Sequence, residues 1–206
     1  MKTIQRTITK TVNKLHISYD HDTESPRESD NLGYFITIDS KYNSPDNHPE
    51  LAGIIKSTGD EATSQTEHME LITKEYNTTE QIIAIYPITK TEQIIAIYPI
   101  TKYEHGNVSY SLGTTRGFDC SNNGFYIVTD KTAKALGTPP ESFERVITQE
   151  LNTYNKYVNG EIYIFVLYDD NGDVADSCGG FYDMEDIKEH LPEEWKDETL
   201  SDYITY

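Results

Sequence analysis

Apolar and polar residues alternate with a period of two along several stretches of this chain, a pattern typical of β-strands. The first stretch, residues 3–19, is rich in Thr and Ile and places Leu15, Ile17 and Tyr19 on one face. Residues 161–168 are almost continuously apolar, which predicts a central strand. Four more strands are predicted at 34–38, 107–112, 124–129 and 174–181.

One long amphipathic helix is predicted between Thr138 and Gly160. Thr138 stands at a cap position, Pro139 suits the first turn because it has no N–H to satisfy, and Gly160 favours a left-handed stop. Apolar residues follow at spacings of three and four, at Phe143, Val146, Ile147, Leu151, Tyr154 and Val158.

Shorter helices are predicted at 50–56 and 67–76, and residues 183–206 read as helical in two pieces that break at Pro192. Strands outnumber helices, which favours an α+β fold: a mainly antiparallel sheet with one long amphipathic helix packed on a face and an acidic helical C-terminus. Residues 1–182 are predicted to form a single domain. The acidic extension is predicted to pack on or beside it.

Residues 79–90 read TEQIIAIYPITK, and residues 91–102 repeat these letters without a change. A single repeat of this length is not a solenoid, which needs several larger units. Pro87 and Pro99 predict an edge, a bulge or a strand exit at the end of each copy. The two strands could pair as a hairpin, or one could be extruded while the other holds the sheet position. An in-frame duplication explains the identity better than a function does.

The charge is strongly acidic and unevenly distributed. The formal net charge is −18, and residues 169–206 hold thirteen carboxylates against two lysines, a net −11. Carboxylates this dense must face water or a basic partner. The same charge argues against direct binding of nucleic acid or anionic lipid. No apolar run could span a membrane, and the first residues lack the apolar core of a secretory signal, so a cytosolic location is expected.

The densest set of potential metal ligands is His16, Asp20, His21, Asp22 and Glu24, with Asp20-His21-Asp22 at its centre. Carboxylates at the end of a strand can hold Mg²⁺ or Mn²⁺, so a metal-dependent hydrolase or nuclease is the alternative function. Nothing in the sequence supplies a second metal or a general base, and acidic loops are common. We therefore predict no metal and no cofactor.

Two other candidate sites have simpler structural explanations. Asp169, Asn171 and Asp173 open like a calcium loop, but the Gly and Glu that such a loop needs later are missing, so a hairpin turn is predicted. Cys120 and Cys178 have no basic neighbour to activate a thiolate, so both are predicted as small core residues. The chain contains no recognised catalytic motif, and we predict that it is not an enzyme.

Several short motifs resemble segments of small proteins of bacteriophages and other mobile elements of Gram-positive bacteria. The similar segments are Asp20-His21-Asp22, Ser25-Pro26-Arg27-Glu28-Ser29-Asp30-Asn31-Leu32-Gly33, Glu104-His105-Gly106, Gly117-Phe118-Asp119-Cys120 with Gly124-Phe125, and Asp176-Ser177-Cys178-Gly179-Gly180-Phe181-Tyr182. Relatives in that group usually carry an aromatic where Ser29 stands, a fuller His-Ser-Gly near residue 105, and one copy of the repeat. The resemblance implies a mobile-element origin.

Origin and charge together favour an inhibitor of a host nucleic-acid-binding defence enzyme, of the anti-CRISPR or anti-restriction kind. Fixed carboxylates can occupy a groove of Lys and Arg in place of phosphates. The predicted partner-binding residues lie at the acidic end: Asp183, Glu185, Asp186, Glu189, Glu193, Glu194, Trp195, Asp197 and Glu198. A phage accessory protein without enzymatic activity is the bland alternative, and the sequence leaves open whether the chain forms a homodimer.

Overall fold

The computed structural model describes residues 12–38, 43–78, 81–83, 86–88 and 92–205. The strands are β1 Val12–Tyr19, β2 Tyr34–Thr37, β3 Gln81–Ile83, β4 Tyr86–Ile88, β5 Ile94–His105, β6 Asn107–Leu112, β7 Cys120–Thr129, β8 Tyr163–Asp169 and β9 Val174–Phe181. The helices are α1 Pro49–Gly59, α2 Gln65–Thr78, α3 Asp130–Leu136, α4 Phe143–Val158, α5 Met184–His190 and α6 Glu193–Lys196. The strands pair antiparallel, which confirms the α+β class. Of the first predicted strand, residues 3–11 lie outside the described residues.

The chain divides into two compact units. The central unit comprises residues 25–155, and the terminal unit comprises residues up to 24 together with those from 156 onwards. The predicted boundary after residue 182 coincides with neither limit, because residues after 182 share a core with the strands of the terminal unit.

The sheet of the central unit has the order β2-β7-β5-β6 and carries helices on both faces. Phe125 and Ile127 of β7 pack with α1 and α2, whereas Tyr126 and Val128 pack with α3 and α4. Because both faces are covered, residues 123–129 are all buried. The predicted packing of one long helix on a face is confirmed by α4, and α1 with α2 forms a second layer.

Helix α4 occupies most of its predicted range but begins later. A 3₁₀ turn, Pro140–Ser142, precedes it, and Pro139 takes the cap position without a side-chain hydrogen bond, so the predicted cap at Thr138 is wrong. Pro139 itself precedes a proline, and a residue in that position is driven to an extended conformation. The first turn therefore begins at Pro140. The predicted stop is confirmed, because Gly160 has a φ of 70°.

Helix α3 is not among the helices predicted from the sequence. Thr129 and Thr132 form a reciprocal capping box at its start, and Gly137 ends it with a φ of 62°. Seven residues are too few to display a helical apolar stripe, so the cap was the available signal.

The two copies of the repeat adopt different structures. The second copy provides most of β5, which lies between β7 and β6 in the central sheet. The first copy contains β3 and β4, which pair with each other. Pro99 directly precedes Ile100↔Leu112, where pairing with β6 begins, and a register shift against β7 follows. A bulge therefore follows Pro99 by one residue, whereas the strand exit that was also predicted there does not occur, because β5 continues to His105.

The sheet of the terminal unit has the order β1-β8-β9, so the prediction of β8 as a central strand is confirmed. The predicted turn between β8 and β9 is also confirmed: Asp169 Oδ1 accepts the N–H groups of Asn171 at 2.9 Å and Asp173 at 3.0 Å. The core of this unit draws on the strands and on the chain after residue 182, with Leu15, Ile17, Phe165, Leu167, Phe181, Ile187, Leu191 and Leu200 buried.

Candidate functional site

The predicted partner-binding carboxylates lie on ordered structure. Asp183 precedes α5, Glu185, Asp186 and Glu189 lie in it, and the remaining four lie in or just after α6. All eight side chains are exposed. We call this set the acidic surface: Asp183, Glu185, Asp186, Glu189, Glu193, Glu194, Asp197 and Glu198.

Buried apolar residues fix the backbone beneath the acidic surface. Ile187 is fully buried, and Leu191 and Leu200 are 3% exposed, all in the core that β1 and β8 share. The end of the chain is held as well, because the Thr205 N–H donates to the Ile17 carbonyl at 2.9 Å. Two short helices that cannot bury enough surface alone are thus positioned by tertiary packing.

Half of the acidic surface has a local partner. Lys156 contacts Asp183 at 2.5 Å, Lys196 contacts Glu193 at 2.7 Å, and Lys188 lies 3.9 Å from Glu185. The Tyr203 hydroxyl donates to Glu198 at 3.1 Å. No ion pair within the described residues reaches the other four members, Asp186, Glu189, Glu194 and Asp197. These four carry the uncompensated charge that a cationic partner would meet.

Trp195 does not stand free as an aromatic anchor. Its ring is half-buried and packs edge-to-face on Tyr203, with centroids 5.5 Å apart. The indole Nε1 is buried and has no hydrogen-bond partner among the described residues. The side chain belongs to the support of the acidic surface more than to its exposed face.

The Asp20-His21-Asp22 segment serves a structural role. Asp20 Oδ2 accepts the Gly180 N–H at 2.8 Å, and Oδ1 accepts the Asp22 N–H at 3.1 Å. Burial alone would raise the pKa of Asp20, but the nearby Thr23 hydroxyl and the hydrogen bonds from the Asp22 and Gly180 N–H groups outweigh it and lower that pKa. A Cβ on Gly179 would come within 2.3 Å of Asp20 Oδ2, and Gly180 has a φ of 82°, so a different constraint favours each glycine of the pair.

The metal alternative finds no ligand cluster. His21 and Asp22 are exposed, while both oxygens of Asp20 bind backbone N–H groups. Among residues 12–38, 43–78 and 92–205, no three His, Cys, Asp or Glu side chains lie close enough to hold an ion.

The two cysteines differ from the prediction of core residues. Cys178 is exposed, because β9 is an edge strand of its sheet, and Cys120 is half-buried at the start of β7. Neither forms a disulfide.

The motif at residues 25–33 is organised around a buried guanidinium, which sequence reasoning missed. Arg27 donates Nε and Nη2 to Asp46 at 3.0 and 2.6 Å, and Nη1 to Glu150 and Asn31, both at 2.9 Å. Its remaining N–H donates to the Gly33 carbonyl at 2.7 Å, so all five donors are satisfied. An arginine bound this completely has no donor left for a ligand.

Tyr126 closes the same network. Its hydroxyl donates to Glu150 and accepts the Gly33 N–H at 3.0 Å, and its ring lies 5.3 Å from the Arg27 guanidinium carbon. Burial, with the adjacent Glu150 charge, raises the pKa of Tyr126, so the phenol stays protonated as a donor. The motif therefore acts in packing β2 and α4 together.

The 117–120 motif forms the connection between β6 and β7. Phe118 is fully exposed there, and His105 Nδ1 lies 3.3 Å from Asp119 Oδ2. Arg116 and Asp119 leave this connection close to neutral, in contrast to the acidic surface.

No helix in the described part of the chain is both long and apolar enough to cross a membrane. Comparison of the chain with protein families, with curated proteins and with solved structures finds no match. The assignment of function therefore depends on the surfaces described above.

Proposed function

We propose that this protein is a phage-encoded inhibitor that binds a host nucleic-acid-binding defence enzyme through its acidic surface. The observation that carries the proposal is the anchoring of eight exposed carboxylates on α5, α6 and their flanks by buried Ile187, Leu191 and Leu200. Carboxylates on a fixed backbone can match the spacing of cationic side chains without the entropy cost that a mobile tail would incur.

The contact is electrostatic in origin. Enzymes that hold nucleic acid line their grooves with Lys and Arg, and such grooves attract any dense array of negative charge. Four of these carboxylates form no ion pair with any described residue: Asp186, Glu189, Glu194 and Asp197. The protein itself does not bind nucleic acid in this proposal; it occupies the groove in place of phosphates, as a non-enzymatic binder in the bacterial cytosol.

An origin in a mobile element restricts the classes of host protein that the acidic surface would bind. The segments at 25–33, 117–120 and 176–182 resemble proteins of phages of Gram-positive bacteria, and phages benefit from blocking Cas effectors or restriction enzymes. The resemblance supplies the host context, and the charge supplies the mechanism.

A binding comparison tests the proposal. The immobilised wild-type chain is compared with the surface variant Asp186→Asn/Glu189→Gln/Glu194→Gln/Asp197→Asn in capture from a Gram-positive lysate. Retained proteins are challenged with duplex DNA and with NaCl. We expect DNA and salt to release what the wild type captures, and the surface variant to retain at least about tenfold less, which corresponds to about 1.4 kcal/mol.

A matched control separates position from net charge. Asp60→Asn/Glu61→Gln/Glu141→Gln/Glu144→Gln removes four exposed carboxylates of the central unit, so both variants change the net charge from −18 to −14. The control should capture like the wild type. Equal capture by the surface variant, or retention that neither DNA nor salt reverses, would contradict the mimicry mechanism.

A further inference from the structure

The end of α2 and the start of β5 are hydrogen-bonded to each other. Asn77, in the last turn of α2, accepts the Ile94 N–H at 2.7 Å and donates Nδ2 to the Ile94 carbonyl at 3.1 Å. Residues 79–93 are therefore a connecting loop whose ends meet. The whole first copy of the repeat, residues 79–90, lies within this loop.

The contacts that fix the start of the second copy use residues that both copies possess. Glu92 Oε1 accepts hydrogen bonds from Thr129 Oγ1 at 2.7 Å and Tyr34 Oη at 3.1 Å. The Gln93 N–H donates to Asp130 Oδ1 at 2.8 Å, and the Gln93 carbonyl accepts the Asp130 N–H at 2.9 Å. The equivalent residues of the first copy are Glu80 and Gln81.

The same holds along the rest of the strand. Ile94 and Ile100 are buried on opposite faces of the sheet, at 4% and 0% exposure, and Thr101 Oγ1 donates to the Gly113 carbonyl at 2.7 Å. The equivalents in the first copy are Ile82, Ile88 and Thr89. Over twelve residues, no side chain distinguishes the two copies as occupants of this strand position.

We propose that the two copies are interchangeable and that the protein has a second register. In that register residues 79–90 lie between β7 and β6, and residues 91–102 are extruded between Lys90 and Tyr103. In the second register the extra copy, residues 91–102, would interrupt the strand. In the observed register the extra copy, residues 79–90, belongs to the connection between α2 and β5. Residues 103–105, which pair with β6, favour the observed register, because it keeps them continuous with the strand.

The second register is a minor state rather than a forbidden one. Loop-closure entropy grows slowly with length, so the position of the insertion matters more than its twelve residues. A change that damages only the second copy should shift the population towards the first. The first copy can then replace the second in the central sheet when the second is damaged.

A buried charge in the second copy tests this inference. Ile100→Asp places a carboxylate at a fully buried position, which should unfold a chain in which 79–90 has been deleted. In the full chain the first copy supplies an intact Ile88. We expect the full-length Ile100→Asp variant to remain folded by circular dichroism, with a lowered melting temperature.

Two matched variants complete the test. Ile88→Asp alone should lower the melting temperature less than Ile100→Asp, because the observed register does not use Ile88 in the central sheet. The double variant Ile88→Asp/Ile100→Asp should unfold. Unfolding of full-length Ile100→Asp to the same extent as the double variant would overturn the inference, and so would a double variant as stable as Ile100→Asp alone.

Discussion

Arg27 illustrates how a recognisable motif can be structural. Its five donors reach two carboxylates, one amide and one carbonyl, and its side chain is only 3% exposed. Burial alone would lower the pKa of Arg27, but the hydrogen bonds and charge of Asp46 raise it, so the cation persists. Removal of the cation would leave Asp46 and Glu150 without their counter-charge.

Arg27→Ala should therefore be among the most damaging single changes in the central unit. We expect the free energy of unfolding to fall by about 3–5 kcal/mol, the usual cost of removing one partner from a buried ion pair. Urea denaturation measures it. Arg145→Ala, which removes an exposed arginine of α4, should cost less than about 0.5 kcal/mol. A loss below about 1 kcal/mol for Arg27→Ala would contradict this account.

Asp20 should give the terminal unit a pH-dependent element of stability. Its pKa in the folded protein lies below the ordinary 3.8, so its stabilisation is complete above that value and is lost as the pH falls through the folded pKa. Asp20→Asn should lower the free energy of unfolding by about 1 kcal/mol at pH 7. The difference from the wild type should narrow below about pH 4.

Asp22→Asn is the control for Asp20, because its exposed side chain can be neutralised while the Asp22 N–H stays in place. Denaturation of both variants at pH 7 and at lower pH is the measurement. A difference between Asp20→Asn and the wild type that does not change with pH would refute the role of the charge.

At the scale of elements, the apolar periodicity of the sequence predicts the longer helices and strands, whose apolar faces are buried in the structure. α4 and β8 were predictable because each carries a continuous apolar pattern over enough residues to define a period. α1 and α2 were predicted shorter than they are, and α3 was missed because seven residues give no stripe. The arginine network was out of reach, because Arg27 meets Asp46 and Glu150 across 19 and 123 positions of sequence.

The candidate site was predictable in part for the same reason. The sequence shows directly where carboxylates are dense, and the structure shows that those of α5 and α6 are exposed. Which of them a lysine neutralises depends on tertiary contacts such as Lys156 with Asp183, which no local pattern encodes. The half-burial of Trp195 is likewise set by the fold.

The pairing of β2 with β7 depends on a close backbone approach. A Cβ on Gly124 would lie 2.1 Å from the Ile36 carbonyl oxygen, so Gly124→Ala must push the two strands apart. We expect a loss of at least about 2 kcal/mol in the free energy of unfolding. Gly53→Ala, in the middle of α1 with open space around it, should instead gain about 0.5–1 kcal/mol. Equal effects of the two changes in urea denaturation would contradict this explanation.

At the scale of the whole molecule, the excess of negative charge opposes folding. A net −18 on 206 residues means that compaction brings like charges together. The lysines that do occur near the acidic surface contact only some of its members. Screening should therefore stabilise the folded chain.

Raising NaCl from about 0.01 M to about 0.15 M shortens the screening length from about 30 Å to about 8 Å. We expect the melting temperature to rise over this range. The surface variant with Asp186, Glu189, Glu194 and Asp197 neutralised should respond less, because part of the repulsion has already been removed. A melting temperature that falls with salt would contradict the claim, and differential scanning calorimetry measures it.

The core shared by the acidic surface and the β1-β8-β9 sheet determines what a truncation before α5 would do. Ile187, Leu191 and Leu200 share one buried core with Leu15 and Phe165, so a stop codon before α5 would expose apolar residues of the β1-β8-β9 sheet. Such a truncated product should aggregate and should not remain a folded fragment that merely lacks the acidic surface. The carboxylates of this protein can be removed one by one by substitution, but not by cutting them away.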